Sequence, residues 1–203
     1  MHALFVHGMG RSPISGWPLL RRLRRAGLRT SAFGYSAAFE DFSAIRNRLA
    51  TRISLIASQG DYVVVGHSLG GVLLRAALNS LPPGTKGPAH VFLLGSPCQP
   101  ARLAQRLTNN FLYRALTGDC GQLLGSASRM AEVGATTVPT TSIAGIRSLS
   151  LTRRLFGDEP NDGVVSLSEV SAAWSGSPVC IPALHTLLPT NKGVAQIILQ
   201  RLA

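Results

Sequence analysis

The sequence lacks the features of a membrane-spanning, zinc-binding or disulfide-stabilised protein. Its 203 residues contain no apolar run of about 18 residues, the length that a transmembrane helix needs. The three cysteines, Cys98, Cys120 and Cys180, form no CxxC pair and no cluster with histidine. Their spacing favours reduced thiols and no metal site, although it leaves a Cys98–Cys120 bridge open. No basic start or small-residue cleavage site precedes the first apolar run, so we expect a cytoplasmic protein.

Negative charge and lysine are also scarce. Nine acidic residues face 20 basic ones, and Lys86 and Lys192 are the only lysines, which leaves a formal net charge of +11. Such a charge favours anionic partners. The arginines are spread along the chain without a recognised nucleic-acid motif, so we expect no nucleic-acid partner. Weak association with an anionic membrane surface stays open, because four arginines cover one side of a helix predicted at 15–27.

The remaining composition and periodicity predict one α/β domain over residues 1–203. Hydrophobic residues make up 45% of the chain and charged residues 14%, as in globular proteins. Apolar runs predict strands, and apolar stripes at helical spacing predict helices between them. We expect a mostly parallel sheet of about six strands, with helices on both faces. The predicted strands are 3–6, 31–34, 63–65, 90–94, 140–144 and 177–183, and the predicted helices are 15–27, 43–57, 69–80 and 191–202.

Three further local predictions come from the same reading. Ser43 and Asn191 are residue types that cap helix N-termini, and each lies at the start of a predicted helix. Residues 147–160 are polar and predict a loop. Residues 98–135 carry no clear strand, and their leucines indicate an amphipathic helix in a small cap above one edge of the sheet.

The chain is organised around Gly66-His67-Ser68-Leu69-Gly70, which fits the pattern Gly-x-Ser-x-Gly. Three β-branched valines precede it, and a helical stripe follows it. A strand, a sharp turn and a helix are the context of a nucleophile elbow, in which a strained turn exposes a serine above the sheet. We therefore predict that Ser68 is a nucleophile at the N-terminus of a helix.

In these residues the chain resembles the α/β-hydrolase family, and within it the small bacterial lipases and esterases. The resemblance implies that His7-Gly8-Met9-Gly10 is an oxyanion loop, in which the amides of Met9 and Leu69 hold the oxyanion. It makes His7 a residue that supports this loop. The chain departs from the pattern at residues 95–100, where related lipases often have Gly-Thr-Pro-His-x-Gly and this chain has Gly-Ser-Pro-Cys-Gln-Pro.

The resemblance also implies a triad in the order serine, acid, histidine. Among the five histidines only His185 follows a late strand near the C-terminus, so it is the predicted general base, whereas His90 begins a strand and is predicted to be structural. Asp162 lies in Asp-Gly-x-Val, which is similar to the family's acid loop. The alternatives are Asp158 and Glu159, Glu169 in or beside a predicted helix, and Asp119 in the cap region.

Within the cap region at 98–135, Phe111, Leu112 and Leu116 either line an acyl groove or pack in the core. Arginines 102, 106 and 114 either meet an anionic head group or are simply solvated.

The combined prediction is a serine hydrolase that cleaves acyl esters through an acyl-enzyme without metal or cofactor. A more distant similarity, through Asp162-Gly-Val-Val-Ser and the His-Thr-Leu segment, points to bacterial lipid-remodelling deacylases. The alternatives are a catalytically silent binding protein of the same fold and a basic surface binder of membranes or nucleic acid.

Overall fold

The computed structural model describes residues 1–148 and 152–203, and its centre is a parallel sheet. Within these residues the strands are β1 His2–Val6, β2 Arg29–Phe33, β3 Tyr62–His67, β4 His90–Leu94, β5 Thr140–Gly145 and β6 Val179–Ile181. They lie in the order β2-β1-β3-β4-β5-β6, and every neighbouring pair is parallel. The carboxyl ends of all these strands therefore meet at one edge. The predicted α/β-hydrolase architecture is confirmed.

Helices cover both faces of the sheet, as predicted. The described helices are α1 Trp17–Arg25, α2 Phe42–Ala57, α3 Leu69–Leu78, α4 Arg102–Leu107, α5 Phe111–Gly125, α6 Ala127–Val133, α7 Arg153–Phe156 and α8 Lys192–Leu202. On one face α2 and α3 pack in a core that also takes in α5 and α6. On the other face α1 and α8 form a second core.

Strand β3 shows why the central strands are continuous apolar runs in the sequence. The side chains of Tyr62 and Val64 lie in the core beneath α2 and α3. Those of Val63 and Val65 point the other way, into the core beneath α1 and α8. Because both faces of a parallel sheet are covered, both sets of side chains must be apolar. This places the serine that follows β3 at the end of a rigid, fully buried strand.

The two predicted helix caps have different outcomes. Asn191 caps α8, since its Oδ1 accepts the Gly193 N–H at 2.7 Å. The prediction for Ser43 is wrong, because α2 begins at Phe42 and its cap is Asp41. The Asp41 carboxylate accepts the Ala44 N–H at 2.7 Å. A side chain must lie just outside the first turn to reach its free N–H groups, and Ser43 is already inside the helix.

The segment 98–135 contains three helices, α4, α5 and α6, where the pattern predicted one. Helix α5 is kinked at Gly118, whose φ is 51° and ψ is −143°. A Cβ at Gly118 would lie 2.5 Å from the carbonyl oxygen of Ala37. Both the positive φ and the close approach require glycine here. The kink thus lets α5 cross the loop that follows β2.

Three other sequence predictions concern the loop at 147–160, the cysteines and membrane-spanning helices. The predicted loop at 147–160 contains helix α7, and residues 149–151 of that prediction lie outside the described residues. All the cysteines are free, so the Cys98–Cys120 bridge does not form; Cys98 and Cys120 are buried and Cys180 is exposed. Within residues 1–148 and 152–203, every helix is too short or too polar to cross a bilayer.

Candidate active site

Ser68 lies in a strained turn between β3 and α3. Its φ is 54° and ψ is −126°, and no other non-glycine residue in the described part of the chain has a positive φ. Its N–H donates to the carbonyl oxygen of Leu94 at 2.9 Å, and its side chain makes no capping bond to α3. Strain of this kind persists only where the surroundings enforce it, and it concentrates at functional sites.

The glycines on either side of Ser68 make this turn possible. A Cβ at Gly66 would lie 2.4 Å from the Cα of Gly71, and one at Gly70 would lie 2.3 Å from the carbonyl oxygen of Val6. Both distances are below any real contact to a Cβ, and the atoms that would be struck belong to the backbone. Glycine at both outer positions of Gly-x-Ser-x-Gly therefore lets β3 approach α3, and α3 approach the neighbouring strand β1, this closely.

Asp162 and His185 form a buried hydrogen-bonded pair at the same edge of the sheet. Asp162 lies in the loop after β5, and His185 follows β6. His185 Nδ1–H donates to Asp162 Oδ2 at 2.7 Å, and the His185 backbone N–H donates to the Asp162 carbonyl oxygen at 2.9 Å. The residues are 2% and 6% exposed. The Nδ1 proton is therefore fixed, and Nε2 is left as the basic nitrogen.

Two glycines at the ends of β4 and β5 make room for this pair. A Cβ at Gly95 would lie 3.0 Å from both Asp162 Oδ2 and His185 Nδ1. A Cβ at Gly145 would lie 2.8 Å from Asp162 Cβ and 2.5 Å from the carbonyl oxygen of Ala183. The absence of side chains at the two strand ends lets the acid and the histidine pack directly onto the sheet.

The Asn-Asp-Gly turn aims the Asp162 carboxylate. Its Oδ1 accepts the N–H groups of Val164 at 3.0 Å and Val165 at 2.9 Å, which leaves Oδ2 for His185. Gly163 has a φ of 93°, and its N–H donates to Asn161 Oδ1 at 3.1 Å. Gly163 therefore permits the chain reversal that directs the Asp162 carboxylate towards His185.

The alternative acids Asp119 and Glu159 form hydrogen bonds and ion pairs with groups other than His185. The carboxylate of Asp119 is bound by Arg129 and by the N–H of Phe42. Glu159 is paired with Arg102 and accepts the Ser168 N–H, and Asp158 is exposed. Of the candidate acids, Asp162 is the one whose carboxylate contacts His185.

Glu169 has a structural position that sequence reasoning missed. It lies in a turn after Ser166, ahead of the short 3₁₀-helix Ala173–Ser175. Its buried carboxylate accepts the backbone N–H groups of Ser166 and Arg102. The Arg102 guanidinium also reaches Glu159 and the Ser166 hydroxyl and stacks on Phe156. This network ties α4 to the loop that carries Asp162, so Arg102 is not available to meet a head group.

The Glu159–Arg102 ion pair keeps its charge over a wide pH range. Burial opposes ionisation of Glu159, but hydrogen bonds from Ser168 and Arg102 outweigh it and lower the pKa to about 2. The carboxylate therefore stays ionised at neutral and mildly acidic pH, and the Arg102 pair persists there. The contacts span more than fifty residues of sequence, and no local pattern signals them.

The loop after β1 lies against the serine. A Cβ at Gly8 would lie 3.1 Å from the Cβ of Ser68, so glycine allows the backbone before Met9 to reach the elbow. Leu69 opens α3, where a backbone N–H has no acceptor within the helix. The two amides predicted for the oxyanion thus belong to segments that meet at Ser68.

His7 braces this loop. Its ring stacks on Tyr35 with centroids 4.3 Å apart, and its Nδ1–H donates to the Gly8 carbonyl oxygen at 2.8 Å. The Tyr35 hydroxyl in turn donates to the carbonyl oxygen of His7 at 2.8 Å. Burial lowers the pKa of His7, so the ring is neutral, and its Nε2 accepts the Tyr35 N–H at 3.4 Å. His90 is also bonded away from the site, to the hydroxyl of Thr141.

The apolar residues predicted to line an acyl groove in the cap region are exposed to solvent. Phe111, Leu112 and Leu116 are 79%, 66% and 68% exposed, which excludes the alternative that they pack in the core. They lie on the half of α5 before the Gly118 kink. Arg106 and Arg114 are exposed as well. A cap function and a membrane contact for this surface stay predictions.

Comparisons with known proteins agree with this architecture. A model of the alpha/beta hydrolase family matches residues 3–197, which is nearly the whole chain. The chain belongs to this family. In the described residues no group of three or more histidines, cysteines and carboxylates is arranged to hold a metal ion.

Relatives within and around the family include esterases and lipases. The chain is 33% identical over 112 residues to the probable esterase PIR7A of Oryza sativa, subspecies indica and japonica. That match covers 49% of this chain and 40% of the rice protein, so the chain spans less than half of the relative's length. Among solved structures, the mature lipase BlEst2 of Bacillus licheniformis superposes with a TM-score of 0.69 at 15% identity, over 98% of this chain and 90% of the lipase.

The metagenomic carboxyl esterase MGS0156 superposes with a TM-score of 0.73 at 17% identity, over 91% of this chain and 64% of the esterase. At these identities the structural likeness establishes the fold. The type of reaction has to be inferred from the residues at the edge of the sheet.

Proposed function

We propose that this protein is a serine hydrolase that cleaves carboxylic esters, with Ser68 as nucleophile, His185 as general base and Asp162 as the acid that orients His185. One observation carries the proposal: a serine held at positive φ lies at the same sheet edge as a buried aspartate–histidine pair. Family membership and the esterase and lipase relatives support the same reaction class.

The proposed reaction proceeds in two acyl transfers. His185 Nε2 takes the Ser68 hydroxyl proton while Oγ attacks the ester carbonyl carbon. The N–H groups of Met9 and Leu69 hold the resulting oxyanion, and each such donor contributes about 3 kcal/mol to barrier lowering. The imidazolium, stabilised by Asp162, then protonates the leaving alkoxide oxygen as the carbon–oxygen bond breaks, which leaves an acyl-enzyme.

Water completes the cycle. His185 accepts a proton from the water molecule that attacks the acyl carbon, and it returns that proton to Ser68 Oγ when the carboxylic acid leaves. Asp162 keeps its hydrogen bond with His185 Nδ1 throughout, and its two backbone donors hold the side chain in place. The steps use groups of this chain, the substrate and one water molecule.

Lipophilic acyl esters are the proposed substrate class. Phe111, Leu112 and Leu116 expose large apolar side chains on the half of α5 before Gly118, in the predicted cap region. Large apolar side chains exposed together on one helix favour contact with an apolar ligand. These three side chains are the proposed acyl-contacting residues.

The test is hydrolysis of p-nitrophenyl esters with acyl chains of two to sixteen carbons. We expect saturable, enzyme-dependent release of p-nitrophenol with a preferred chain length, because one methylene more or less in an apolar binding site changes the discrimination by about 1–3 kcal/mol. Absence of hydrolysis for every ester, with protein whose circular dichroism shows a folded α/β domain, would contradict the proposal.

A further inference from the structure

The histidine directly before the nucleophile contacts the predicted base. His67 ends β3, and its side chain is 2% exposed. Its Nε2 lies 3.0 Å from the carbonyl oxygen of His185, and the two rings lie 4.9 Å apart between centroids. A carbonyl oxygen only accepts, so Nε2 carries the proton and donates it.

This bond completes a clamp on the main chain of His185. The N–H of His185 donates to the carbonyl oxygen of Asp162 at 2.9 Å, and its carbonyl accepts from His67 at 3.0 Å. The imidazole itself is held by Asp162 Oδ2. His67 is joined to Ser68 by one peptide bond, so the clamp links the elbow to the base over 118 residues of sequence.

Burial of the polar His67 ring costs free energy, which argues against a role in packing alone. Its Nδ1 is buried without a partner in the described structure. The ring is pressed against the oxyanion loop, where a Cβ at Gly8 would lie 2.9 Å from that nitrogen. An apolar ring would fit this space without an unpaired nitrogen. The polar contact that the imidazole makes in return is the one to His185.

The ring is neutral in this position. Burial, followed by the neighbouring charge of His185, lowers the pKa of His67 well below its ordinary value, and Arg11 and His7 add to this. A neutral donor holds the carbonyl of His185 without repelling the imidazolium that forms on the same residue during the reaction.

We propose that His67 is a positioning residue, which fixes the main chain of His185 through its Nε2–H and so holds the base in reach of Ser68. The inference rests on the proposed function, since it assigns His67 a role in the same site. An error of about 1 Å in the placement of a reacting group costs about 100-fold in rate.

Three substitutions at His67 distinguish the effect of its hydrogen-bond donor from the effect of its aromatic ring. His67→Gln places an amide N–H near the position of Nε2, His67→Asn places one near Nδ1, and His67→Phe keeps a ring without a donor. With p-nitrophenyl butyrate we expect kcat to fall about 100-fold in the Asn and Phe variants, and KM to change by about threefold or less. The Gln variant should recover to within about tenfold of wild type.

Each kcat is normalised to the fraction of enzyme that a fluorophosphonate labels at long exposure, so that unfolded protein does not count. Recovery in His67→Gln alone supports the positioning role. Wild-type kcat in all variants, or equal losses in all three, would overturn it, the latter in favour of a need for the imidazole itself. A wild type that neither hydrolyses esters nor takes up the label would instead refute the proposed function.

Discussion

Replacement of Ser68 by alanine is expected to lower kcat for ester hydrolysis by about 10⁶-fold, to the detection limit of most assays. The reason is that the acyl-enzyme route disappears when the hydroxyl is lost. The variant should fold, because the Ser68 side chain makes no capping bond to α3. The measurement is the initial rate of p-nitrophenol release from the ester that wild type hydrolyses best.

A matched control comes from the other end of the same helix. Ser80 is exposed just beyond the C-terminus of α3, and its hydroxyl donates to the carbonyl oxygen of Ala77. Ser80→Ala removes the same atom from the chain without touching the elbow, so it should retain wild-type kcat. Residual activity in Ser68→Ala within tenfold of this control would show that hydrolysis takes place elsewhere.

Asp162→Asn is expected to lower kcat by about 10⁴-fold. An asparagine can keep its oxygen on the N–H groups of Val164 and Val165, which turns its NH₂ group towards His185 Nδ1. The histidine would then present Nδ1 as an acceptor, and its proton would move to Nε2. A base protonated at Nε2 cannot take the serine proton, so activity is lost although the shape of the site is retained.

The comparison for this variant is Asp158→Asn. Asp158 lies four residues away in the same segment and is exposed, so the substitution changes the same charge outside the site. We expect wild-type kcat from it. Equal rates for the two asparagine variants would mean that another group orients His185, and the assignment of the acid would then fail.

The sequence was most informative where a backbone constraint restricts the residue types. Gly66 and Gly70 flank Ser68 because any Cβ there would strike backbone atoms, and this constraint is readable as a spacing. The apolar run of β3 was readable for a similar reason, since burial on both faces leaves no polar alternative. The parallel sheet and the two-sided helix cover followed from these local patterns.

The sequence was least informative where residues distant in the chain meet. The contact of His67 with His185 and the binding of Arg102 by Glu169 join residues 118 and 67 positions apart, and neither has a local signature. The exposure of Phe111 was likewise hidden, because a stripe of apolar residues predicts a buried face. The Gly118 kink separates that half of α5 from the half that packs in the core.

The central claim is that Ser68 is a nucleophile activated by His185. Its most direct test is reaction of the wild-type protein with a fluorophosphonate, followed by mass spectrometry of the intact chain and of its peptides. The account predicts one adduct per chain, located on Ser68, formed rapidly in wild type and absent in Ser68→Ala. A folded protein that forms no adduct, or an adduct on another residue, would contradict the claim.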